Sequence, residues 1–556
     1  MSDKIVALSA GIRRTAIAGA ATALCAGLCT SAAAFDINTG NEDLTVRFDN
    51  TIRYNLGKRI DTQSQAILRN VNSDDGDRNF GNKSIVTNRI DVLSELDVVY
   101  QRQFGARVSA AGWYDAAYSG GFDNTSLATS NHLVNGAPAF GLSPYANRFY
   151  HGPSGEWLDA FVFGGFELGS MPVTVRAGRH TVAWGEALLG GGAIHGVSYA
   201  QAPLDQAKSF GNPGIEAKEL FRPLTQISGQ IQATPELSIA GQYYFDWEAG
   251  RLPEAGTYLG FGDHYFRGGE SLIQGATRIR RGDAITPKER GDWGLAARWN
   301  PQWLDGTMGF YYRNFSDKLP QILLVSSAQR YFFNYASDID LYGVSLSKQI
   351  FGISFGADLN YRRNMPLVSD NAIAIPSLAA LPAQGNSVGA RGNTVHAVVN
   401  AVSSLGSSVL YDNASVAAEM TYSRWLSVSQ GAQFFKGRNN YVGIDKVSKD
   451  SVGFAINFTP TWFQIFSGAD LSMPISYSRG LLGNSAVTSG GNKGAGQYSV
   501  GLGLDLYSKY RFDLKYIDYF GKSTLNPTTG ANQVSNGSTA NLKDRGAVYL
   551  TFKTAF

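Results

Sequence analysis

The chain closes on Gly546-Ala547-Val548-Tyr549-Leu550-Thr551-Phe552-Lys553-Thr554-Ala555-Phe556. Successive side chains of a β-strand point to opposite faces. Val548, Leu550, Phe552, Thr554 and Phe556 therefore share one face, and Tyr549, Thr551, Lys553 and Ala555 share the other. The first face is apolar and the second mixed. In water, such a strand at a sheet edge invites aggregation. A closed barrel in a bilayer removes the difficulty, because the edge pairs with the first strand and the apolar face meets lipid.

Working outward, a terminal strand ending in phenylalanine resembles the assembly signal of Gram-negative outer-membrane barrels. Phe552 and Phe556 would carry that signal, with the barrel-assembly machinery as the partner. The other end of the chain fits the same destination. Lys4, Arg13 and Arg14 precede the short apolar stretch Thr15–Cys29, and Ala32-Ala33-Ala34 matches a small-x-small cleavage site. Residues 1–34 are expected to be a cleaved signal peptide, with 35–556 forming one transmembrane β-barrel domain in the outer membrane. Both cysteines, Cys25 and Cys29, fall in the signal, so the mature chain needs no disulfide. Removing the signal takes away Lys4, Arg13, Arg14 and Asp3, so the formal charge falls from 48 − 45 = +3 to 45 − 44 = +1. That balance gives no footprint for nucleic acid.

Between the ends, the apolar alternation recurs with strict punctuation. Leu44–Leu56 places Arg47, Asp49 and Arg53 on one face, and Arg89–Tyr100 places Arg89, Asp91, Glu95 and Asp97 on one face. These mixed charges are assigned to the lumen, as cross-strand ion pairs of a polar inner wall. Further strands are expected at 106–118, 157–168, 173–180, 224–233, 237–247, 292–299, 307–315, 339–348, 353–363, 394–402, 415–423, 451–459, 469–477, 498–506, 510–520 and 547–556. Short connections with breakers such as Thr234-Pro235-Glu236 alternate with long ones, as periplasmic turns alternate with external loops. The fold class is thus all-β: an antiparallel outer-membrane barrel of 18 strands (16 as the alternative), with long external loops partly folded into the lumen. Trp113, Tyr114, Trp157, Trp247, Trp293, Trp299, Trp462 and Tyr519 lie near strand ends and are expected to form interfacial girdles.

Catalytic chemistry is sparse. No expected strand pairs a histidine with a serine two positions away on one face, as an outer-membrane phospholipase would. No H-x-x-x-H zinc spacing occurs, so neither an enzyme nor a metal or other cofactor is expected. The run Asn72-Ser73-Asp74-Asp75-Gly76-Asp77 faintly suggests a calcium loop but lacks EF-hand spacing, so a solvated surface loop is expected. The Arg278-Ile279-Arg280-Arg281 cluster reads equally as a contact to lipopolysaccharide phosphates or as solvated loop.

The third external loop, Thr181–Pro223, stands apart. It combines Trp184, Glu186, Asp205, Lys208, Glu216, Lys218, Glu219 and Arg222 with three prolines and seven glycines. Its prolines, charge pairs and aliphatic side chains favour a folded element over a disordered one. It is expected to enter the lumen, with Glu186 and Arg222 anchored to wall charges such as Arg176 and Asp97. Trp184 and the aliphatics would line an apolar constriction. The alternative is an external flap packed on the rim.

The segments L-D-A-F-V at 158–162, L-G-S-M-P-V-T-V-R-A-G at 168–178, V-A-W-G-E at 182–186, P-L-D at 203–205, P-G-I-E-A-K-E at 213–219 and W-E at 247–248 with G-T-Y at 256–258, together with D-D-G at 74–76, resemble the proteobacterial outer-membrane family filed as "domain of unknown function 1302". The Gly190-Gly191-Gly192 run departs from the family pattern. Members often lie beside genes for a lipoprotein-sorting-like periplasmic protein and a large inner-membrane transporter. The resemblance implies traffic of poorly soluble molecules, with outer-membrane lipids, lipopolysaccharide and a periplasmic lipid-carrier-like protein as partners. The expected function is a channel for a hydrophobic or amphipathic solute such as a steroid, aromatic or fatty compound. The alternatives are a general porin for polar solutes and a non-conducting barrel that docks a lipid carrier. Deleting Phe556 should leave the chain in the periplasm for proteolysis; heat-modifiable protein in outer membranes at wild-type levels would refute the assembly role.

Overall fold

The computed structural model describes residues 35–488, 492–526 and 532–556. The expected signal peptide lies outside the described residues. The main sheet closes on itself as an antiparallel barrel of 18 strands. These are β1 Leu44–Arg59, β2 Ile85–Tyr100, β3 Phe104–Asp115, β4 Ser154–Leu168, β5 Met171–His180 and β6 Leu224–Gln232. There follow β7 Leu237–Tyr244, β8 Trp293–Trp299, β9 Gly306–Phe315, β10 Ile339–Ile350, β11 Ile353–Pro366 and β12 Arg391–Leu405. The last six are β13 Asn413–Gln430, β14 Asp450–Phe466, β15 (Ala469–Ser472 and Ile475–Leu482), β16 Gly496–Leu506, β17 Tyr510–Phe520 and β18 Ala547–Ala555.

Closure joins β18 to β1, from Thr51↔Ala555 to Arg59↔Ala547. The Phe556 and Asn50 backbones exchange both hydrogen bonds at 2.8–2.9 Å, and Phe35–Ile37 pairs with β1 beyond that point. No strand edge is left free at the seam. Several strands run past their expected ends into the rim. There the hydrogen-bonded ladder continues beyond the stretch of clear alternation, at both ends of the barrel. Pro460 interrupts neither β14 nor its partner: it lacks a donor, but its carbonyl accepts the Met473 N–H at 2.9 Å.

The outer surface is apolar at mid-height, with Val162, Leu295, Leu359, Val399, Met420, Leu502, Leu514 and Leu550 exposed. Their neighbours in sequence point inward, as in a lipid-spanning barrel. Trp157, Trp293, Trp299, Trp462 and Tyr114 are not buried. Trp113, Trp247 and Tyr519 depart from the girdle expectation, because all three are buried. Trp113 points into the lumen against Phe149, and its indole N–H bonds the Phe149 carbonyl at 2.6 Å.

Fourth, fifth and sixth external loops build a five-stranded cap sheet from Ser271–Gln274, Thr277–Arg281, Arg330–Asn334, Gln321–Val325 and Ile373–Ala374. The basic cluster is therefore neither free nor wholly solvated. Ile279 is buried in the cap, and Arg278 donates to the Ser130 and Ala128 carbonyls of the second loop. The Asp74–Asp77 stretch is not a solvated loop either. Asp74, Asp75 and Asp77 are buried, and Arg59 and Arg545 both pair with Asp77.

Leu550, in the middle of β18, is 46% exposed on the outer face. Leu550→Arg should destabilise the barrel by about 2–4 kcal/mol in lipid vesicles. Leu405→Arg, at the strand end near the periplasmic rim, should cost no more than about 1 kcal/mol. Equal losses in denaturant titrations would contradict the assigned depth.

Candidate functional site

The third loop leaves β5 at the external end and turns down into the lumen. Its outgoing limb crosses to β11, β12 and β13, nearly half-way round the barrel. There the wall offers acceptors to the loop's amides. Asp358 of β11 accepts the Glu186 N–H at 2.8 Å and the Val197 N–H at 3.0 Å. Glu419 of β13 accepts the N–H groups of Leu188, Leu189 and Gly192 at 2.7–3.0 Å. These amides open the short helix α1, Gly190–His195, so the carboxylate sits where helix N–H groups are unpaired. A Cβ at Gly192 would collide with Glu419 Oε2. The glycine at this position is thus what admits the carboxylate.

Wall donors take the loop's carbonyls. Arg362 donates to the Ile194 and Gly196 carbonyls at 2.9 and 3.0 Å, and Arg313 to those of Val197 and Tyr199 at 2.9 and 2.7 Å. Asn360 reaches the His195 carbonyl, and Asn400 that of Glu186. His195 Nδ1 lies 2.9 Å from His396 Nδ1 of β12, so one ring donates and the other accepts. Burial, with Arg362 nearby, pushes the His195 imidazole down to about 3. The His195 ring is therefore neutral at pH 7.

The return limb is held by charge. Asp205 pairs with Arg251 at 2.8 Å, and Lys208 pairs with Glu156 beside the Trp113 ring. Glu216 pairs with Lys553 of β18 at 2.5 Å. Burial alone would raise the Glu216 carboxyl, but Lys553 and Lys218 hold it below the usual range. Lys218 reaches Glu95 of β2, and Glu219 meets Arg53 of β1 at 3.0 Å with both side chains buried.

Two expected anchors are different in the structure. Glu186 does not meet Arg176: its backbone is held by Asp358, while the Arg176 guanidinium lies 5.8 Å from the Phe161 ring centre. Arg222 does not meet Asp97. It pairs with Glu248 of the fourth loop, and Asp97 takes Arg107 of the adjacent strand at 2.6 Å. Both wall charges have partners closer in the sheet than the loop. Trp184 does not face open space. It is buried with Val197, Tyr199, Ala296, Tyr311, Phe315, Ile339, Leu341 and Met365. Sequence reading missed Asp358, Arg362, His396 and Glu419. They sit on wall strands as ordinary inward polar residues, and nothing local distinguishes them.

A cavity of about 580 Å³ lies between this loop, the cap and β13–β16. Leu189, Ile194, Phe210, Phe261, Phe266 and Leu319 supply an apolar side from the loops. Glu419, Thr421, Ser451, Asn457, Ser476 and Gln497 supply a polar side from the wall. A second cavity of about 290 Å³ shares Phe261, Tyr265, Val368, Asn371 and Lys436 with it. His132 has a serine, Ser130, two positions away. Ser130 donates to the Ala139 carbonyl, and His132 pairs with Glu270.

Closed edges, an apolar belt and a polar, loop-filled lumen define a transmembrane β-barrel of the outer-membrane type. The chain belongs to the family described as "Protein of unknown function (DUF1302)", which matches residues 15–556. No curated protein matches it. Among solved structures it is similar to OccAB3 of Acinetobacter baumannii, at 9% identity and TM-score 0.40, covering 92% of this chain and 99% of that chain. Pseudomonas aeruginosa OpdK with vanillate is similar at 9% identity and TM-score 0.40, over 92% and 98% of the two chains. OccAB4 of A. baumannii is similar at 8% identity and TM-score 0.41, again over 92% and 98%.

Glu419→Ala should free the amides of Leu188, Leu189 and Gly192. Their hydrogen exchange should accelerate more than tenfold while the β-ladder amides stay protected; unchanged exchange would show that Glu419 does not hold the loop.

Proposed function

We propose that this protein is an outer-membrane channel for hydrophobic or amphipathic small molecules, with its third loop as the constriction. The carrying observation is the two-sided cavity of about 580 Å³ beside α1. Its size falls among small-molecule sites, and apolar loop side chains oppose a polar wall across it. A solute with an apolar body and a polar end meets complementary groups on both sides. The adjoining cavity of about 290 Å³, lined by Asn70, Asn72, Tyr265 and Asn541 of the external loops, extends the path toward the cap.

A general porin relies on a wide, wet lumen. Here the third loop spans the lumen and buries Trp184 against the wall. The constriction role carries Asp205, Lys208, Glu216, Lys218, Glu219 and Arg222 as fasteners of the loop, with Arg176 as a lumenal charge. Wall polarity at Asn457 and Gln497 would orient the solute's polar end.

Planar-bilayer recording tests the reading. Wild-type protein should conduct weakly, and deleting Gly190–Ala200 should raise single-channel conductance several-fold. Unchanged conductance with a heat-modifiable barrel would remove the loop from the path. In loaded vesicles, an aromatic carboxylate should enter faster than a sugar of equal size; the opposite order would favour the general porin.

A further inference from the structure

We propose that Asp74, Asp75 and Asp263 bind a Ca²⁺ ion that staples the first and fourth external loops, with the second loop packed against the site. Asp74 and Asp75 lie at the start of the short helix Asp75–Asn79 in the first loop; Asp263 belongs to the fourth. One carboxylate oxygen from each lies within 4.8 Å of those of the other two, and all three residues are at most 4% exposed. Ligand oxygens across a Ca²⁺ ion stand about 5 Å apart, so the three fit one coordination sphere.

Acids gathered in a loop do not by themselves make a site. The second observation is how their oxygens are used. Each carboxylate has one oxygen engaged: Asp74 Oδ2 by Arg78, Asp75 Oδ2 by the Asn131 N–H at 2.8 Å, and Asp263 Oδ2 by the Asp75 N–H at 3.0 Å. The remaining Oδ1 atom of each is buried and has no hydrogen-bond partner. Asn131 Oδ1, also buried, has none either. Among the described residues, one ion pair, Arg78 with Asp74, answers the three carboxylates. Orphaned buried oxygens of this kind are costly unless a cation or a donor meets them.

The surroundings fit a hard ion. Every candidate ligand is oxygen, with no histidine or cysteine in the cluster, which favours Ca²⁺ over zinc. Thr129 of the second loop stands beside Asp74. Without a cation, burial raises all three carboxyls, Asp74 to about 6 and Asp263 to about 8. The loops are already interleaved here, since Asp263 N–H bonds the Asn72 carbonyl at 2.8 Å and Asn131 bonds the Ser271 carbonyl at 2.7 Å. An ion at this point would fix the cap that overlies the proposed solute path.

The test uses full-length protein refolded in detergent free of lipopolysaccharide, stripped with EDTA and titrated with CaCl₂ in a calorimeter. Saturable binding of one Ca²⁺ per chain is expected, with a Tm raised by several degrees and slower protease cleavage of the external loops. Asp263→Asn should weaken binding at least tenfold. In EDTA it should melt no lower than wild type, because it removes one of three crowded carboxylates. Absence of saturable binding by the wild type at millimolar Ca²⁺ would overturn the proposal without reference to any variant. So would equal affinity in a heat-modifiable Asp263→Asn barrel.

Discussion

A peptide segment threaded through a closed barrel must have its N–H and C=O groups paired inside, because the ladder of the wall is already complete. The third loop meets this demand through ionised side chains of the wall. Asp358 and Glu419 collect amides from two stretches of the loop, while Arg313 and Arg362 collect carbonyls. Burying these charges would be costly on its own, and charge-assisted hydrogen bonds to the loop offset that cost. The loop and the wall are therefore conditions for each other. An inward glutamate on β13 is tolerable because α1 begins at it, and α1 can begin there because glycine leaves room.

The same logic scales up to the external face. The barrel inverts the usual arrangement, with aliphatics outside and arginines inside, so apolar residues of the long loops have no lipid to meet. They pack with one another instead. Phe80, Tyr118, Leu142, Tyr258, Tyr519 and Tyr549 form one cluster from loops and wall together, and the cap sheet buries Ile279, Ile322 and Phe333 in another. The result is a lumen divided between packed aromatic regions and a cavity along β13–β16, where the wall carries small side chains such as Gly453, Ala455 and Ser476. Passage, on the proposed reading, follows the side of the barrel that the loops leave unfilled.

Much of the fold was legible in the sequence. Period-two alternation is a local property, so each strand could be recognised by itself, and the alternation of short and long connections then gave count and orientation. The third loop stood out for the same reason: its prolines, glycines and charges break the alternation around it. Trp113 departs from the girdle because register, and not nearness to a strand end, decides which way a side chain faces. Its parity, with Arg107 and Asp115 on the same strand, points inward.

The partners, by contrast, were not legible. Glu419 is separated from Gly192 by 227 residues, Asp358 from Glu186 by 172, and Asp263 from Asp75 by 188. No local pattern encodes such pairings, which depend on barrel circumference, strand stagger and the path of the loop. Asp74-Asp75-Gly76 read as solvated because an acidic run is ordinarily cheapest in water; only the packing of three loops over it made it buried. Sequence by itself determined a lipid-facing antiparallel barrel, with 18 strands expected and 16 as the alternative, since hydrogen bonding and side-chain alternation in a bilayer admit few other folds; the structure has 18. The tertiary structure alone decided which inward charges hold the loop, which are spent on their neighbours, and where space is left, because those outcomes are set by distances across the lumen.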